Sequence, residues 1–280
     1  MSVTLAAGVR ANLLALQQTS SLQEVVQNRL ATGKKVNSAL DNPGNYFTAA
    51  ALSDRANDLN TLLDDMGQAV QTLKAADEGI KAIQKLVDSA KAKANQALAS
   101  ASSTDRATFA SEYNNLLSQI TDIAEDSGYK GKNLLKGDSL KVIFNERTGE
   151  AQNSLTISGV SYTDVSNLSL TAVADPSADW ATGTTGDTAI NDTIDSLNSA
   201  LTNLRTQAST FGTNLSSVQI RQDYTKSMIN TLQTGADKLT LADQNEEGAK
   251  LLALNTRQQL SSTALSFASQ ADQNVLRLLG

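Results

Sequence analysis

The residues of this chain whose types could do chemistry are a Gly-Lys-Lys step, a set of acidic pairs and one Asp/Glu-rich hexapeptide. Gly33-Lys34-Lys35 would cradle a phosphate if it closed a P-loop, where backbone N–H groups and a lysine grip the anion. Such a loop needs a glycine five residues before the Gly-Lys pair and Ser or Thr straight after it. Asn28 and Lys35 occupy those positions, and the upstream "SLQEVVQNRL" reads as helix where a strand is required. The acidic pairs Asp64-Asp65, Asp77-Glu78, Glu125-Asp126 and Glu246-Glu247 could supply an acid and a base. Each lies beside or between apolar positions of helical spacing, so a solvated helix face is the expected role. "DQNEEG" at 243–248 lacks the alternating ligands and terminal Glu of a calcium loop.

Histidine and cysteine are both absent. That removes the commonest general base, the usual triad member, the commonest zinc ligand, thiolate metal sites and disulfides. No catalytic, cofactor-binding or metal-binding residue is therefore expected, and the chain does not read as an enzyme. Asn167, Asn191 and Asn214 each open an Asn-x-Ser/Thr triplet, a pattern frequent by chance. The Ser/Thr-rich stretch 161–186 is a better place for hydroxyl-linked sugar, and reads equally well as an unmodified loop.

The elements that would position any such group are helical. Of 280 residues, 40% are hydrophobic but only 4% are aromatic, which suits thin helical seams better than one thick core. A net charge of -6 argues against a nucleic-acid partner. No uninterrupted run of apolar residues is long enough to span a membrane. Arg10 and Asn12 break the N-terminal apolar run, so no cleaved secretory signal is expected, and these rules alone point to the cytosol.

Ile190, Ile194, Leu197, Leu201, Leu204, Ala208, Phe211, Leu215 and Val218 alternate steps of four and three, and the register continues through Gln222 and Thr225 to Ile229 and Leu232. This is the heptad seam of a long helix. A second is expected from about Ala49 to Ala101, with Leu59, Leu63, Met66, Val70, Leu73, Ile80, Ile83, Val87, Ala90 and Ala94 on its stripe. A third follows, capped by Ser103 or Thr104 and stopping at Ser127-Gly128. Between them, "SLKVIFNERTGEAQNSLTISGV" reads as a β-hairpin around a Thr-Gly turn, and "DPSADWATGTTGDTA" as a surface loop. The fold class is thus mainly α, a long-helix, coiled-coil-like rod with helical ends and a small hairpin.

Both ends carry narrow apolar stripes, Leu5, Val9, Leu13, Leu16, Val26 and Leu30 at the start, and Leu260, Ala264, Phe267, Ala268, Ala271, Val275, Leu278 and Leu279 at the finish. An isolated helix of this kind is marginal. Burying its Val and Leu side chains contributes roughly 1.5–3 kcal/mol each. Two readings stay open: the ends dock on their own core, or they order when identical subunits stack. Between stripe and rod, Gly33 can end the first helix, Asn37-Ser38 supplies turn chemistry, and Pro43 suits the first turn of the next. The lysines of this joint are expected to be solvated.

"NRLATGKKVNSALDNPGNYFTAAALSDR" (28–55) and "NTRQQLSSTALSFASQADQNVLRLLG" (255–280) resemble the two terminal signatures of bacterial flagellins. The likeness covers about the first 130 and last 90 residues, in the family's order. It implies core helices at 1–36 and 241–280, a connector at 37–48, rod helices at 49–137 and 187–240, and a hairpin with surface loop at 138–186. It further implies a self-polymerising filament subunit for swimming motility, extracellular rather than cytosolic, with Leu5, Val9, Leu13, Leu16, Leu30, Leu260, Phe267, Val275, Leu278 and Leu279 in the self-assembly core. A hook–filament junction protein shares these ends and is the nearest rival, while an intracellular coiled-coil scaffold would explain the heptads but not the paired signatures. The zinc-protease insert of some members needs a His-Glu-x-x-His set that this chain lacks. The implied partners are further copies of the chain, the flagellar export apparatus, an export chaperone and cap or junction proteins. Host receptors are implied too, but weakly engaged. At the vertebrate receptor patch Gln84 fits, whereas Lys85 replaces the usual Arg and Ser89 the usual Leu, losing a planar fork and an apolar contact. In the segment that plant sensors read, Leu40, Asn42, Pro43, Gly44 and Asn45 depart from the family's run and only Asp41 is kept.

Overall fold

The computed structural model of the protein describes residues 7–279, and side-chain surroundings for residues 8–271, 273 and 274. Among the described residues, five α-helices and one hairpin occur in chain order: α1 (Ala7–Thr32), α2 (Pro43–Ala99), α3 (Ser103–Asp126), β1 (Ser139–Ile143), β2 (Ser154–Ser158), α4 (Thr184–Thr240) and α5 (Gln244–Leu279). They fall into two compact units, one made of the residues up to Ala56 with those from Asn230 onward, the other of Asn57–Ile229.

In the 57–229 unit the heptad stripes meet as their spacing predicts. Met66, Leu73, Ile80, Ile83 and Val87 of α2, Tyr113, Leu117 and Ile120 of α3, and Ile190, Leu197, Leu204, Phe211 and Val218 of α4 belong to one buried cluster. Ala76, Ala90, Ala94, Ala110, Ala124 and Ala200 are buried among them, so small side chains let the helices approach closely. Ser102 caps α3, its hydroxyl accepting from the Asp105 N–H at 3.3 Å, so the cap precedes both expected residues, Ser103 and Thr104. The far end of α3 is closed by Asn133, whose Nδ2 donates to the carbonyls of Ala124 and Glu125 at 2.8 Å each, while its Oδ1 accepts from the Leu135 N–H at 2.9 Å. These are the orphan carbonyls every helix end leaves.

The hairpin pairs β1 and β2 antiparallel, with Leu140 opposite Ile157 and Val142 opposite Leu155. Val142 and Ile157 are buried, the alternation a half-covered sheet requires. Its Thr-Gly turn is present, with Gly149 at φ +66°.

The following segment differs from the expected surface loop. Tyr162, Leu168, Leu170, Val173 and Trp180 are all buried, and the Trp180 ring packs 5.4 Å from that of Tyr113. These residues enter the core singly and without period. Polar turns held by Asp164 and Asp175, which accept from the Ser166 and Ser177 N–H groups at 2.9 and 3.0 Å, separate them. α2 begins at Pro43, six residues before the expected Ala49, because Asn42 supplies the cap: its Oδ1 accepts from the Asn45 N–H at 3.0 Å.

Candidate assembly surface

α1 and α5 lie against each other within the first unit. On α1 the covered positions are Val9, Asn12, Leu16, Thr19, Gln23, Val26 and Leu30, with Arg29 beside them; on α5 they are Glu247, Leu251, Leu254, Gln258, Ser261, Leu265 and Ala268, with Gly248 beside them. Arg29 and Gly248 apart, both sets alternate steps of three and four, a coiled-coil seam. Sequence reasoning named the apolar members on α1, but on α5 it named only Ala268 and missed Leu251, Leu254 and Leu265, and it missed the polar members on both helices, because a stripe is sought by its apolar side chains. Gln23 is buried and donates from Nε2 to Asn255 Oδ1 at 2.7 Å. Arg29 meets Glu247 at 3.4 Å, and Lys250 reaches the same carboxylate oxygen at 3.0 Å. The other oxygen, Oε2 of Glu247, is buried with no hydrogen-bond partner. Such a seam is thin and only partly apolar, and weak in proportion.

The apolar residues left over point outward. Leu14, Leu22 and Val25 of α1 are exposed, as are Leu252, Leu260 and Phe267 of α5, the last two 67% and 66% accessible. The predicted assembly set therefore divides. Val9 is buried and Leu16 and Leu30 half-buried in the inner seam, Leu13 is exposed at its edge, and Leu260 and Phe267 lie on the outer face. Leu5 lies outside the described residues, as do the side chains of Val275, Leu278 and Leu279.

The connector is sewn to the turn between α4 and α5. Gly33, at φ +69°, ends α1 as expected and accepts from the Ala242 N–H at 3.0 Å. The Lys35 and Val36 N–H groups donate to the Thr240 carbonyl at 2.8 and 3.3 Å, and Val36 is buried. Both lysines are exposed, but Lys35 is not merely solvated: its Nζ donates to the Lys238 carbonyl at 3.1 Å, a cation at the C-terminal end of α4. Asn37 and Ser38 form the turn through Asp41, whose Oδ2 accepts from both N–H groups at 2.9 Å. Those bonds, from Ser38 first and Asn37 next, hold the Asp41 carboxyl below its usual range.

Three of the four acidic pairs stand on solvated faces. Asp64 and Asp65 are exposed, Asp77 and Glu78 both pair with Lys81 at 2.7 and 3.0 Å, and exposed Glu125 meets Lys136 at 3.8 Å. Glu247 is the exception, drawn into the α1–α5 seam. Among the described residues no group of acidic side chains is placed to hold a metal ion, and no helix is long and apolar enough to cross a membrane. On α2, Gln84 is half-buried while Lys85 and Ser89 are exposed, the Ser89 hydroxyl donating to the Lys85 carbonyl at 2.9 Å.

Long heptad-bearing helices, joined to a terminal helix pair with a bare apolar face, define a structural protein of the self-associating kind. Family models described as the N-terminal and C-terminal helical regions of bacterial flagellin match residues 5–139 and 194–279. Flagellin FljN of Caulobacter vibrioides is 30% identical over 272 residues, covering 95% of each chain. The flagellin of Brucella melitensis is 28% identical over 268 residues, covering 95% of this chain and 94% of that one. A solved flagellin of Bacillus cereus aligns with a TM-score of 0.48 at 16% identity, over 58% of this chain and 88% of that one. The chain belongs to the bacterial flagellin family, and is a structural subunit of the extracellular flagellar filament.

Proposed function

We propose that the protein is a non-catalytic subunit whose terminal helix pair becomes fully ordered only when neighbouring copies cover it. The observation that carries this reading is the division of apolar residues on α1 and α5. Too few face inward for a strong pair, and Leu252, Leu260 and Phe267 face water. Covering them in a polymer contributes roughly 1.5–3 kcal/mol for each large side chain, which outweighs the marginal inner seam. Folding of the ends is then coupled to polymerisation. A head-to-tail contact with an open rotation extends as a helical filament rather than closing as a ring. The self-assembly set of Leu5, Val9, Leu13, Leu16, Leu30, Leu260, Phe267, Val275, Leu278 and Leu279 belongs to this reading, the inner members holding the pair and the outer ones the neighbours. Removing residues 255–280 leaves a largely helical monomer that does not polymerise; normal filaments from that truncation sink the mechanism.

Delivery through the flagellar export apparatus, with an export chaperone and cap or junction proteins, is part of the same proposal and is supported by family membership. Weak recognition by host receptors is proposed from Lys85 and Ser89, which offer neither a planar cation nor an apolar contact beside Gln84. A receptor reporter assay with purified monomer tests this, and a full-strength response at low concentration contradicts it.

A further inference from the structure

We infer that Gln23, through its bond to Asn255, is the positioning residue that sets the register of the terminal helix pair, selecting one alignment of α1 and α5 from several that their apolar stripes accept. This rests on the filament-subunit reading and deepens it: in a helical polymer every copy must present Leu252, Leu260 and Phe267 at the same height along α1. The helices run antiparallel, because Gln23 meets Asn255 whereas Arg29, later on α1, meets Glu247, earlier on α5. Apolar side chains alone leave their alignment open. Val9, Leu16, Gln23 and Leu30 recur at seven-residue spacing on α1, and Gln23 is the one polar member of that row. On α5, Leu251 and Leu265 stand two heptads apart, as do Leu254 and Ala268. Sliding one helix along the other by whole heptads therefore returns the same rows to the seam.

Gln23 does not share that freedom. It is 7% accessible, and its Nε2 donates to Asn255 Oδ1 at 2.7 Å. A slide of one heptad brings Gly248 or Ser262 to the place of Asn255. Gly248 has no side chain to offer, and Ser262 is shorter, with its hydroxyl donated to the Gln259 carbonyl at 2.9 Å. The slid pair buries the Gln23 amide without its partner, which carries the full cost of desolvation. One polar residue in an apolar row fixes register in this way, at some loss of stability. The Arg29–Glu247 contact discriminates less. It spans 3.4 Å with the Arg29 side chain 35% accessible, and Lys250, on α5 itself, reaches the same Glu247 oxygen at 3.0 Å. Glu247 thus keeps a cation in any alignment, whereas Gln23 keeps its partner in only one.

The absence of cysteine lets two spin labels be placed at chosen positions. Gln18→Cys and Asn245→Cys put them on exposed residues several turns apart along the pair, and a slide of one heptad moves one past the other by about 10 Å. Filaments grown from labelled chain diluted in unlabelled chain give the native distance. In the frozen monomer, pulsed dipolar spectroscopy separates paired ends, which give narrow distances, from unpaired ones, which give a broad background. With Gln23 present the native alignment exceeds any other by at least about tenfold; in Gln23→Leu the excess falls to within about threefold and a second narrow distance appears. The paired fraction rises in Gln23→Leu at the same time, which loss of a contact that only strengthened the pair would not produce. The exchanged chain, Gln23→Asn with Asn255→Gln, keeps a side-chain bond of the same total reach and regains the single distance. A single native distance in Gln23→Leu, loss of its paired signal, or a second distance in the exchanged chain overturns the assignment. A parent monomer with no broad background refutes ordering on assembly instead, and the register is still decided by Gln23→Leu.

Discussion

Arg106 offers the sharpest single test of how the 57–229 unit is held together. Its side chain is 6% accessible, and four contacts satisfy it: Nε donates to the Ser100 carbonyl at 2.7 Å, Nη2 to Leu98 at 3.3 Å, and Nη1 to Ala181 at 2.9 Å and to Asp187 Oδ1 at 2.7 Å. One guanidinium thereby joins the end of α2, the start of α3, the segment carrying Trp180 and the first turn of α4. Arg106→Ala removes all four. A hydrogen bond to a charged group contributes about 1.5–3 kcal/mol, but the carbonyls of half-buried Leu98, Ser100 and Ala181 and the Asp187 carboxylate, whose side chain is 44% accessible, regain water. The net loss is therefore about 3 kcal/mol, less than the sum of the bonds. For a unit of this size that lowers the melting temperature by about 6–12 °C. Trp180 is the chain's one tryptophan, is buried beside Ala181, and reports the change directly. Urea titration followed by its fluorescence should show the lower midpoint, and native emission shifted to the red. Arg106→Lys keeps a charge for Asp187 but not the planar fork, and should fall between the two. A loss below about 1 kcal/mol in the alanine variant, with unshifted emission, would refute the clasp.

Other expectations follow from the same contacts. The Asp41 pKa is lowered on folding, so its contribution to the connector is present above the ordinary value of 3.8 and is lost as pH falls through the lower, folded one. An NMR titration should show the Asn37 and Ser38 amides moving with a midpoint below 3.8, and Asp41→Ala should abolish that movement. Burial pushes the Tyr113 hydroxyl up from 10.0 to about 12, so stability is full below pH 10.0 and falls as pH rises through about 12. Denaturant midpoints across that range check the sign, and Tyr113→Phe should flatten the alkaline limb at the cost of the 3.2 Å bond to the Thr171 carbonyl. Asn133→Ala strands the buried Leu135 N–H and the last carbonyls of α3. It should cost about 2–4 kcal/mol by urea denaturation, whereas a loss within 0.5 kcal/mol or so would show that water replaces the side chain.

Periodicity and local chemistry by themselves determined the long helices, the hairpin and the joint at Gly33. A heptad recurs in the sequence as it does in space, and a Thr-Gly turn or a Gly-ended helix is settled within a few residues. What each apolar stripe covers is another matter. Val9 and Leu260 read alike in sequence, yet one is buried in the α1–α5 seam and the other faces water, because facing depends on a register set by distant residues. That register comes from Gln23 with Asn255 and Arg29 with Glu247, pairs more than two hundred positions apart. The burial of Trp180 was illegible for the same reason: its pocket is made by Tyr113 on a helix far upstream, and no local period points to it. Long-range polar contacts and single buried side chains carry no repeat, so only the tertiary structure decided where they sit.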